Sequence, residues 1–214
     1  MRIGVIPMKP LAGAKARLAP ALAPGERRRI SLAMLADVAA AAVAAVDELW
    51  VLLSDDDAGA VADEAGALAV PDPAPGQGLT ASLDASTRGA IGEGATGVLV
   101  VSADLPAVTA EDLRTLIGSG GLALAPDAGG TGTNALWRSP GDAIATAFGP
   151  QSRAAHESLA RGASLRLSVV ERPGLAADVD TPAGLAAAWA LGVGTHTRRA
   201  LEEMDLAARL RLAG

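Results

Sequence analysis

The chain has no cysteine and no tyrosine, and only two of its 214 residues are histidine. Without cysteine it can form no disulfide, thiolate nucleophile or cysteine-ligated zinc site. The two histidines form neither an H-x-x-x-H nor an H-E-x-x-H pattern, which argues against a histidine-ligated zinc site. Aromatic residues make up 2% of the chain, so stacking platforms for single-stranded nucleic acid are also missing.

Positive charge and long apolar runs are scarce as well. The chain has 18 Lys and Arg residues against 24 Asp and Glu residues, a net charge of −6. This balance argues against nucleic-acid and anionic-membrane partners, because both need a basic face. No apolar run reaches the roughly 20 residues of a membrane span, and Pro and Lys break the first run too early for a signal peptide. We expect a cytoplasmic protein with one domain, residues 1–214, and a C-terminal helix from about residue 197 as an appendage.

Apolar runs alternate with helical patterns along the chain. Most of the predicted strands are continuously apolar, which is typical of strands buried on both faces of a parallel sheet. The alternation predicts an α/β fold with a mostly parallel central sheet and helices on both faces. The predicted strands span residues 2–8, 49–54, 67–70, 96–103, 122–126, 134–138 and 165–170, and the predicted helices span residues 26–46, 57–65, 79–91, 109–117, 151–161, 182–191 and 197–210.

The loop after the first strand is basic. Ligands of such sheets bind at the carboxyl ends of the strands, so these loops are where chemistry is expected. The segment PMKPLAGAKARLAP carries Lys9, Lys15 and Arg17 among small residues, a pattern that can bind a polyphosphate through cations and backbone N–H groups. It matches neither a Walker P-loop nor a Rossmann fingerprint. A solvated basic loop is the alternative.

Two further loops follow predicted strands. In VVSADLPAV a buried strand ends at Asp104, where a carboxylate is well placed to hold a divalent metal, although it could also only cap the next turn. In APDAGGTGTNALW three glycines permit close backbone approach, and Thr131 and Thr133 offer hydroxyl groups. A glycine hairpin without a ligand is the alternative for this segment.

A fourth loop, FGPQSRAAHESL, leads into a helix. Gly149 and Ser152 precede or begin that helix, and a helix start with free N–H groups and a hydroxyl can bind an anion. Simple capping of the helix by Ser152 is the alternative. We interpret His156 as a packing or surface histidine rather than a catalyst.

The segment AADVDTPAGL places two carboxylates one residue apart. In an extended chain Asp178 and Asp180 point to one face, with Cβ atoms roughly 7 Å apart, and Thr181 and Pro182 are suited to begin a helix directly afterwards. A favourable interaction of Asp180 with the helix N-terminus would leave Asp178 unexplained. Because adjacent carboxylates repel unless a cation binds them, the simplest account adds Asp104 and predicts a Mg²⁺ site of three carboxylates.

Five motifs occur in a fixed order along the chain. A basic loop, an acidic strand end and a late acidic pair resemble nucleotidyltransferases of the glycosyltransferase-A type. Within that group the chain resembles the guanylyltransferases of deazaflavin coenzyme biosynthesis, the 2-phospho-L-lactate or phosphoenolpyruvate guanylyltransferase family. The motifs are K-x-L-x-x-A-K-x-R-L-A-P (residues 9–20), S-A-D-L-P (102–106), G-T-G-T-N-A-L (130–136), F-G-P-x-S (148–152) and D-V-D-T-P-x-x-L (178–185).

This resemblance implies transfer of GMP from GTP to the phosphate of a three-carbon phosphoacid, with release of pyrophosphate. The expected partners are GTP and that phosphoacid, Mg²⁺ is the expected cofactor, nucleic acid and membrane are not expected, and a homodimer is left open. By resemblance, the metal ligands are Asp104, Asp178 and Asp180, the acceptor-phosphate residues are Thr133, Gly149 and Ser152, the nucleotide-binding residues are Lys9, Gly13 and Lys15, and the catalytic residues are Lys15, Arg17 and Asp104.

Other functions share parts of this pattern. Molybdenum-cofactor guanylyltransferases begin with a more glycine-rich L-A-G-G-x-S-x-R-M loop, which Pro10, Leu11 and Ala12 replace here. A sugar-phosphate nucleotidyltransferase would need a different acceptor pocket, a glycosyltransferase would release no pyrophosphate, and a nucleotide-binding module would bind GTP without turnover. The sequence does not distinguish phosphoenolpyruvate, 2-phospho-L-lactate and 3-phosphoglycerate, and guanine recognition could involve residues 76–83.

Overall fold

A seven-stranded sheet forms the centre of the computed structural model, which describes residues 1–8, 10, 11, 13, 15–53, 56–210 and 212. Each predicted strand is found, although the last is only two residues long. The strands are β1 (Arg2–Pro7), β2 (Glu48–Leu53), β3 (Leu68–Pro71), β4 (Gly97–Val101), β5 (Leu122–Pro126), β6 (Thr133–Arg138) and β7 (Ser168–Val169), in the order β3-β2-β1-β4-β6-β5-β7.

The helices lie between and after these strands. All seven predicted helical regions are helical, and one short helix that was not predicted, residues 173–176, is added. The helices are α1 (Pro24–Val43), α2 (Asp56–Glu64), α3 (Leu79–Gly92), α4 (Ala110–Gly118), α5 (Ser152–Gly162), α6 (Pro173–Ala176), α7 (Pro182–Leu191), α8 (Thr195–Glu203) and α9 (Leu206–Arg209), with a 3₁₀ turn over Ala16–Leu18. None of the helices within the described ranges is both long and apolar enough to cross a membrane.

One strand runs against the others. The strand β6 pairs antiparallel with both β4 and β5, whereas all other neighbouring strands pair in parallel. The first residues of β6 therefore lie at the edge where the parallel strands end, the edge at which ligands of such sheets bind. The mostly parallel α/β sheet that the sequence predicts is confirmed.

Apolar side chains cover both faces of the sheet. Along β1, Val5 packs in a buried cluster with Leu83 of α3, whereas the next residue, Ile6, packs in another cluster with Leu35 of α1. Successive strand residues point to opposite faces, so this alternation places α3 on one side and α1 on the other. The prediction of helices on both faces is confirmed.

The C-terminal helices pack on α1. Leu201 of α8 and Leu206 of α9 are buried in one cluster with Ile30 and Met34 of α1, so they contribute to the apolar core rather than project from it. The single helix predicted over residues 197–210 is interrupted, because Asp205 has φ 54°, a left-handed conformation that an α-helix does not accommodate. The boundaries of the domain stay a prediction.

Candidate active site

A backbone hydrogen bond brings the acidic pair to the end of β4. The N–H of Val179 donates to the carbonyl of Asp104 at 3.0 Å, and Val179 is fully buried. The flanking residues Asp178 and Asp180 are only partly buried, which agrees with the predicted extended segment and its alternating side chains. Two acidic segments, Asp104 and the pair 74 and 76 residues after it, are thereby held side by side at the carboxyl edge of the sheet.

The next helix begins as predicted. The hydroxyl of Thr181 accepts from the N–H of Gly184 at 3.1 Å, and Pro182 occupies the first turn of α7. This cap fixes where the extended segment stops, so the acidic pair is bounded by the backbone contact to Asp104 on one side and by a capped helix on the other.

Lys15 joins the two acidic segments. Its Nζ lies 2.5 Å from Asp104 Oδ2 and 2.8 Å from Asp180 Oδ1. The Lys15 side chain is only 12% exposed, so the solvated-loop alternative is wrong for this residue. Burial opposes its charge, but the two carboxylates outweigh burial and raise the pKa of the Lys15 ammonium above its usual value. Lys15 is therefore a charged part of the pocket.

Asp178 completes a group that we call the charged half-site (Lys15, Asp104, Asp178 and Asp180). Burial raises the pKa of Asp178, and the negative charges of Asp104 and Asp180 act in the same direction. When all three carboxylates are ionised, they exceed the single Lys15 ammonium by two negative charges. The group therefore has a net attraction for cations.

One contact of the charged half-site was not predicted from the sequence. Asn134 Nδ2 donates to the carbonyl of Leu175 at 2.9 Å and to Asp178 Oδ1 at 3.3 Å. Asn134 belongs to the G-T-G-T-N-A-L motif, but its partners lie more than 40 residues away, so sequence spacing gives no signal for them. Asn134, the second residue of β6, thus orients Asp178.

A pocket of about 230 Å³ opens beside Lys15. Asp104 and Asp180 form its acidic wall, and side chains of α1 and the start of α3 form its apolar wall. The lining residues are Pro7, Met8, Leu11, Lys15, Ser31, Met34, Leu79, Ser102, Ala103, Asp104 and Asp180. A concave site with apolar walls and a few charged groups is typical of a small-molecule site.

The carboxylates offer oxygen ligands of the type that Mg²⁺ prefers. Within the part of the chain that the structure describes, no three His, Asp or Glu side chains are grouped closely enough to hold a metal ion as they stand. The Lys15 ammonium, bonded to Asp104 and Asp180, marks a cation position between them. The Mg²⁺ site of Asp104, Asp178 and Asp180 therefore stays a prediction.

A second group, the neutral half-site (Thr133, Ser152 and His156), lies beside the first. Thr133 begins β6 and precedes Asn134, whose carbonyl accepts from the N–H of Ser102 at 2.9 Å. Thr133 Oγ1 lies 3.0 Å from His156 Nδ1, and the N–H of Ala147 donates to His156 Nε2 at 2.9 Å. His156 is therefore a packing histidine, one of the two predicted alternatives, and it connects two of the predicted loops.

Burial determines the charge of this second group. Thr133 is 6% exposed, Ser152 is 2% exposed and His156 is fully buried. Burial lowers the pKa of His156 to about 4, and the positive charge of Arg138 acts in the same direction. The imidazole is therefore neutral at physiological pH, and the half-site presents hydroxyl and N–H groups without a formal charge.

Ser152 does not cap α5, which was the alternative interpretation of the loop before this helix. The helix begins at Ser152 itself, and the preceding residue, Gln151, makes no side-chain cap. Gly149 has φ 134°, a conformation that favours glycine, and no atom lies within 4 Å of where its side chain would be. Gly149 therefore faces open space, but the N–H groups of Ser152 and Arg153 already donate to the carbonyls of Gly149 and Thr131 at 3.2 and 3.1 Å. An anion site at the start of α5 stays a prediction.

The glycine-rich segment forms the β5–β6 hairpin, as the alternative interpretation has it. Asp127 Oδ1 accepts from the N–H groups of Thr131 and Gly132, each at 2.9 Å. A side chain at Gly132 would come within 2.7 Å of Asp127 Oδ2, which explains the glycine at this position. The hairpin is closed by its own aspartate and carries Thr133 at its end.

The remaining predicted residues lie in the basic loop. Gly13 and Arg17 are exposed, and Gly13 has φ 82°. Lys9 lies outside the described residues. The structure therefore brings Lys15, but not the exposed Arg17, into contact with Asp104, and the nucleotide-binding roles of Lys9 and Gly13 stay predictions.

Comparison with known proteins agrees with this architecture. The chain is 42% identical over 188 residues to phosphoenolpyruvate guanylyltransferase of Sphaerobacter thermophilus, covering 86% of this chain and 90% of that one. It is 37% identical over 212 residues to the Conexibacter woesei protein of the same name, covering 94% and 95%. A solved structure from Desulfovibrio desulfuricans, described as a nucleotide-diphospho-sugar transferase, has the same fold, with a TM-score of 0.77, 16% identity and coverage of 98% and 96%.

A family model described as "Guanylyl transferase CofC like" matches residues 1–212. The match spans both half-sites and nearly the whole chain. The predicted enzyme class, a nucleotidyltransferase, is confirmed at the level of the family. The chain therefore belongs to the CofC-like guanylyl transferase family.

Proposed function

We propose that this enzyme transfers GMP from GTP to the phosphate of a three-carbon phosphoacid, phosphoenolpyruvate or 2-phospho-L-lactate, in deazaflavin coenzyme biosynthesis. The observation that carries the proposal is the adjacency of Thr133 and Asn134: the first belongs to the neutral half-site, and the second contacts Asp178 of the charged half-site. Two differently built anion sites share one edge of the sheet. The relatives named phosphoenolpyruvate guanylyltransferase favour phosphoenolpyruvate as the acceptor.

The charged half-site is assigned to the triphosphate. Asp104, Asp178 and Asp180 would hold Mg²⁺, which when bound supplies charge neutralisation at the phosphate oxygens. Lys15 would exchange its carboxylate partners for phosphate oxygens and stabilise the departing pyrophosphate, with Arg17 contributing from the exposed side of the same loop. The pocket beside Lys15 can receive part of the nucleotide.

The neutral half-site is assigned to the acceptor. The hydroxyls of Thr133 and Ser152 and the turn at Gly149 can donate hydrogen bonds to a phosphate without adding positive charge. An acceptor held there keeps a nucleophilic phosphate oxygen near the charged half-site. Its oxygen forms a bond to the α-phosphorus of GTP while the bond from the α-phosphorus to the bridging oxygen breaks, and pyrophosphate leaves with that electron pair.

This reaction needs no general base. The acceptor phosphate is already anionic at neutral pH, so a buried neutral histidine and the lack of cysteine are compatible with it. Positioning of two anions and stabilisation of the leaving group carry the catalysis. The residues therefore act by binding and orientation rather than by proton transfer.

Pyrophosphate release tests the proposal. The purified chain is incubated with Mg²⁺, GTP and one phosphoacid at a time, with the next enzyme of the pathway present to trap a labile product. We expect release with phosphoenolpyruvate or 2-phospho-L-lactate, and much less when ATP or CTP replaces GTP. Release with a sugar phosphate alone would favour the sugar-phosphate alternative, and GTP binding without release for any acceptor would favour a binding module.

Cytoplasmic location and a homodimer stay predictions. The comparisons support a nucleotide substrate, and neither oligomeric state nor compartment follows from them. Light scattering of the purified chain measures its mass in solution, and fractionation of cells that produce it measures its location.

A further inference from the structure

Each nitrogen of the His156 ring has a hydrogen-bond partner on another part of the chain, and the backbone of Ser152, in the same helix, also interacts with the ring. The N–H of Ala147 donates to Nε2 at 2.9 Å, and Nδ1 lies 3.0 Å from Thr133 Oγ1. Phe148 packs edge-on against the ring, with centroids 5.2 Å apart and planes at 73°. The ring is fully buried, so no other group from solvent competes for these positions.

The two contacts determine which nitrogen carries the proton. A backbone N–H can only donate, so Nε2 must present its lone pair to Ala147. A neutral imidazole then has its proton on Nδ1, and Nδ1–H donates to Thr133 Oγ1. Because Oγ1 accepts this bond, the hydroxyl proton of Thr133 remains available for another acceptor.

We infer that His156 is a positioning residue, which fixes the Thr133 hydroxyl as a hydrogen-bond donor toward the acceptor's anionic group. The inference rests on the proposed assignment of Thr133 to the acceptor. With the opposite tautomer, Thr133 would donate to the imidazole and present a lone pair to an anion. The histidine thus determines that the Thr133 hydroxyl donates, rather than accepts, toward a bound anion. Its hydrogen bond from Ala147 also holds the loop that contains Gly149.

A tautomer measurement tests this directly. The chain is labelled at histidine, and nitrogen chemical shifts distinguish a pyrrole-like from a pyridine-like ring nitrogen. His196 is the other histidine and is exposed, so a His196→Gln variant identifies the His156 signals. We expect a protonated Nδ1 and an unprotonated Nε2 near neutral pH. A protonated Nε2 would overturn the inference, whatever the enzyme's activity.

Two conservative substitutions separate the two contacts. The side-chain amide of His156→Asn lies near the position of Nδ1 and can still donate to Thr133, whereas the amide of His156→Gln lies near Nε2 and can still accept from Ala147. We expect His156→Gln to raise the acceptor KM about 3- to 10-fold, the loss of one hydrogen bond. His156→Asn should stay within about twofold, and the GTP KM should hardly change in either variant.

A double-mutant cycle distinguishes positioning from general support of the fold. In a Thr133→Val background His156→Gln should have no further effect on the acceptor KM, because the hydroxyl on which it acts is gone. Equal effects of the Asn and Gln variants, or additive effects in the cycle, would overturn the inference. If Thr133→Val itself leaves the acceptor KM unchanged, the assignment of Thr133 to the acceptor fails too, and the inference falls with it.

Discussion

The two half-sites are built from opposite kinds of group. In the charged half-site, Lys15 is held by Asp104 and Asp180, and the Asp180 side chain is 50% exposed. In the neutral half-site, Thr133 and His156 are almost or entirely buried, and neither carries a charge at physiological pH. A partly exposed charge such as Asp180 can change partners at low cost in free energy, whereas buried neutral groups keep one arrangement.

This difference suits two different substrates. A triphosphate brings several charges, and a half-site that is already ion-paired must reorganise to receive it. A three-carbon phosphoacid is small and offers few contacts, so its site has to be preorganised to bind it at all. We therefore expect substitutions in the charged half-site to affect the chemical step or GTP, and substitutions in the neutral half-site to affect the acceptor.

The largest effect is expected from the carboxylates. Asp104→Asn or Asp180→Asn should reduce Mg²⁺-dependent turnover by at least ~10²-fold, because each removes one preorganised electrostatic group. Turnover is measured as pyrophosphate release over a range of Mg²⁺ concentrations, and circular dichroism checks the fold. The matched control is Asp63→Asn, the same change on an exposed helical residue. Near wild-type rates at saturating Mg²⁺ would exclude these carboxylates from the metal site.

The next largest effect is expected from the neutral half-site. Thr133→Ala or Ser152→Ala removes a hydrogen bond to a charged group, which lowers acceptor efficiency about 10- to 150-fold and leaves GTP affinity unchanged. Thr115→Ala, on the surface of α4, is the control. If Ser152→Ala instead weakens GTP binding without any phosphoacid, the two half-sites are assigned the wrong way round.

The buried imidazole should also make stability depend on pH. Its pKa is lowered to about 4 in the folded chain from about 6.5 in the unfolded one, so the unfolded chain takes up a proton first as the pH falls. The folded chain therefore keeps its full free energy of unfolding above pH ~6.5 and loses part of it as the pH falls toward ~4. The expected loss is about 2 kcal/mol between pH 7 and pH 5.

This loss is measured by urea unfolding of the wild type and His156→Asn at both pH values. The variant should lose about 2 kcal/mol less than the wild type between them, whereas the exposed-site control His196→Gln should behave as the wild type does. An identical pH dependence in all three proteins would show that the imidazole is not held neutral by the fold.

The smallest effect is expected from Lys15. Lys15→Ala should weaken GTP binding about tenfold, the low end for a charge-assisted contact, because the ammonium must give up two carboxylates before it binds phosphate. Calorimetric titration of GTP measures this, with the exposed Arg161→Ala as control. An unchanged affinity together with an unchanged rate would mean that Lys15 only pairs with Asp104 and Asp180.

Local patterns predicted most of the fold. The strands and helices follow from apolar runs and periodicity, and the Thr181 cap follows from residues that are adjacent in sequence. The direction of β6 does not follow, because its residues NALWR are equally suited to a parallel or an antiparallel neighbour. The interruption at Asp205 was missed for a related reason: nothing in a polar residue between two helical stretches requires a left-handed backbone.

The charged residues of the site could be predicted from the sequence, but the contacts between its residues could not. The acidic residues and Lys15 stand out in sequence, because charges are rare in a chain that is half apolar. Their contacts depend on the Val179 to Asp104 hydrogen bond, which joins distant segments. The partners of Asn134 and His156 were missed because they lie on other elements, and the burial that makes each contact matter is a property of the packed fold.

The reversed strand has a consequence for how the acceptor can change. In a purely parallel sheet, loops that lead into strands lie at the edge away from the ligand, so their length has little bearing on specificity. Here the hairpin between β5 and β6 leads directly to Thr133 at the ligand edge and is closed by its own Asp127. The segment of residues 127–132 thus closes on itself, and Arg153 of α5 holds it from outside through the carbonyls of Gly130 and Thr131. Exchanging it between relatives should redirect the enzyme to a differently shaped phosphoacid while Lys15 and the acidic segments keep their places.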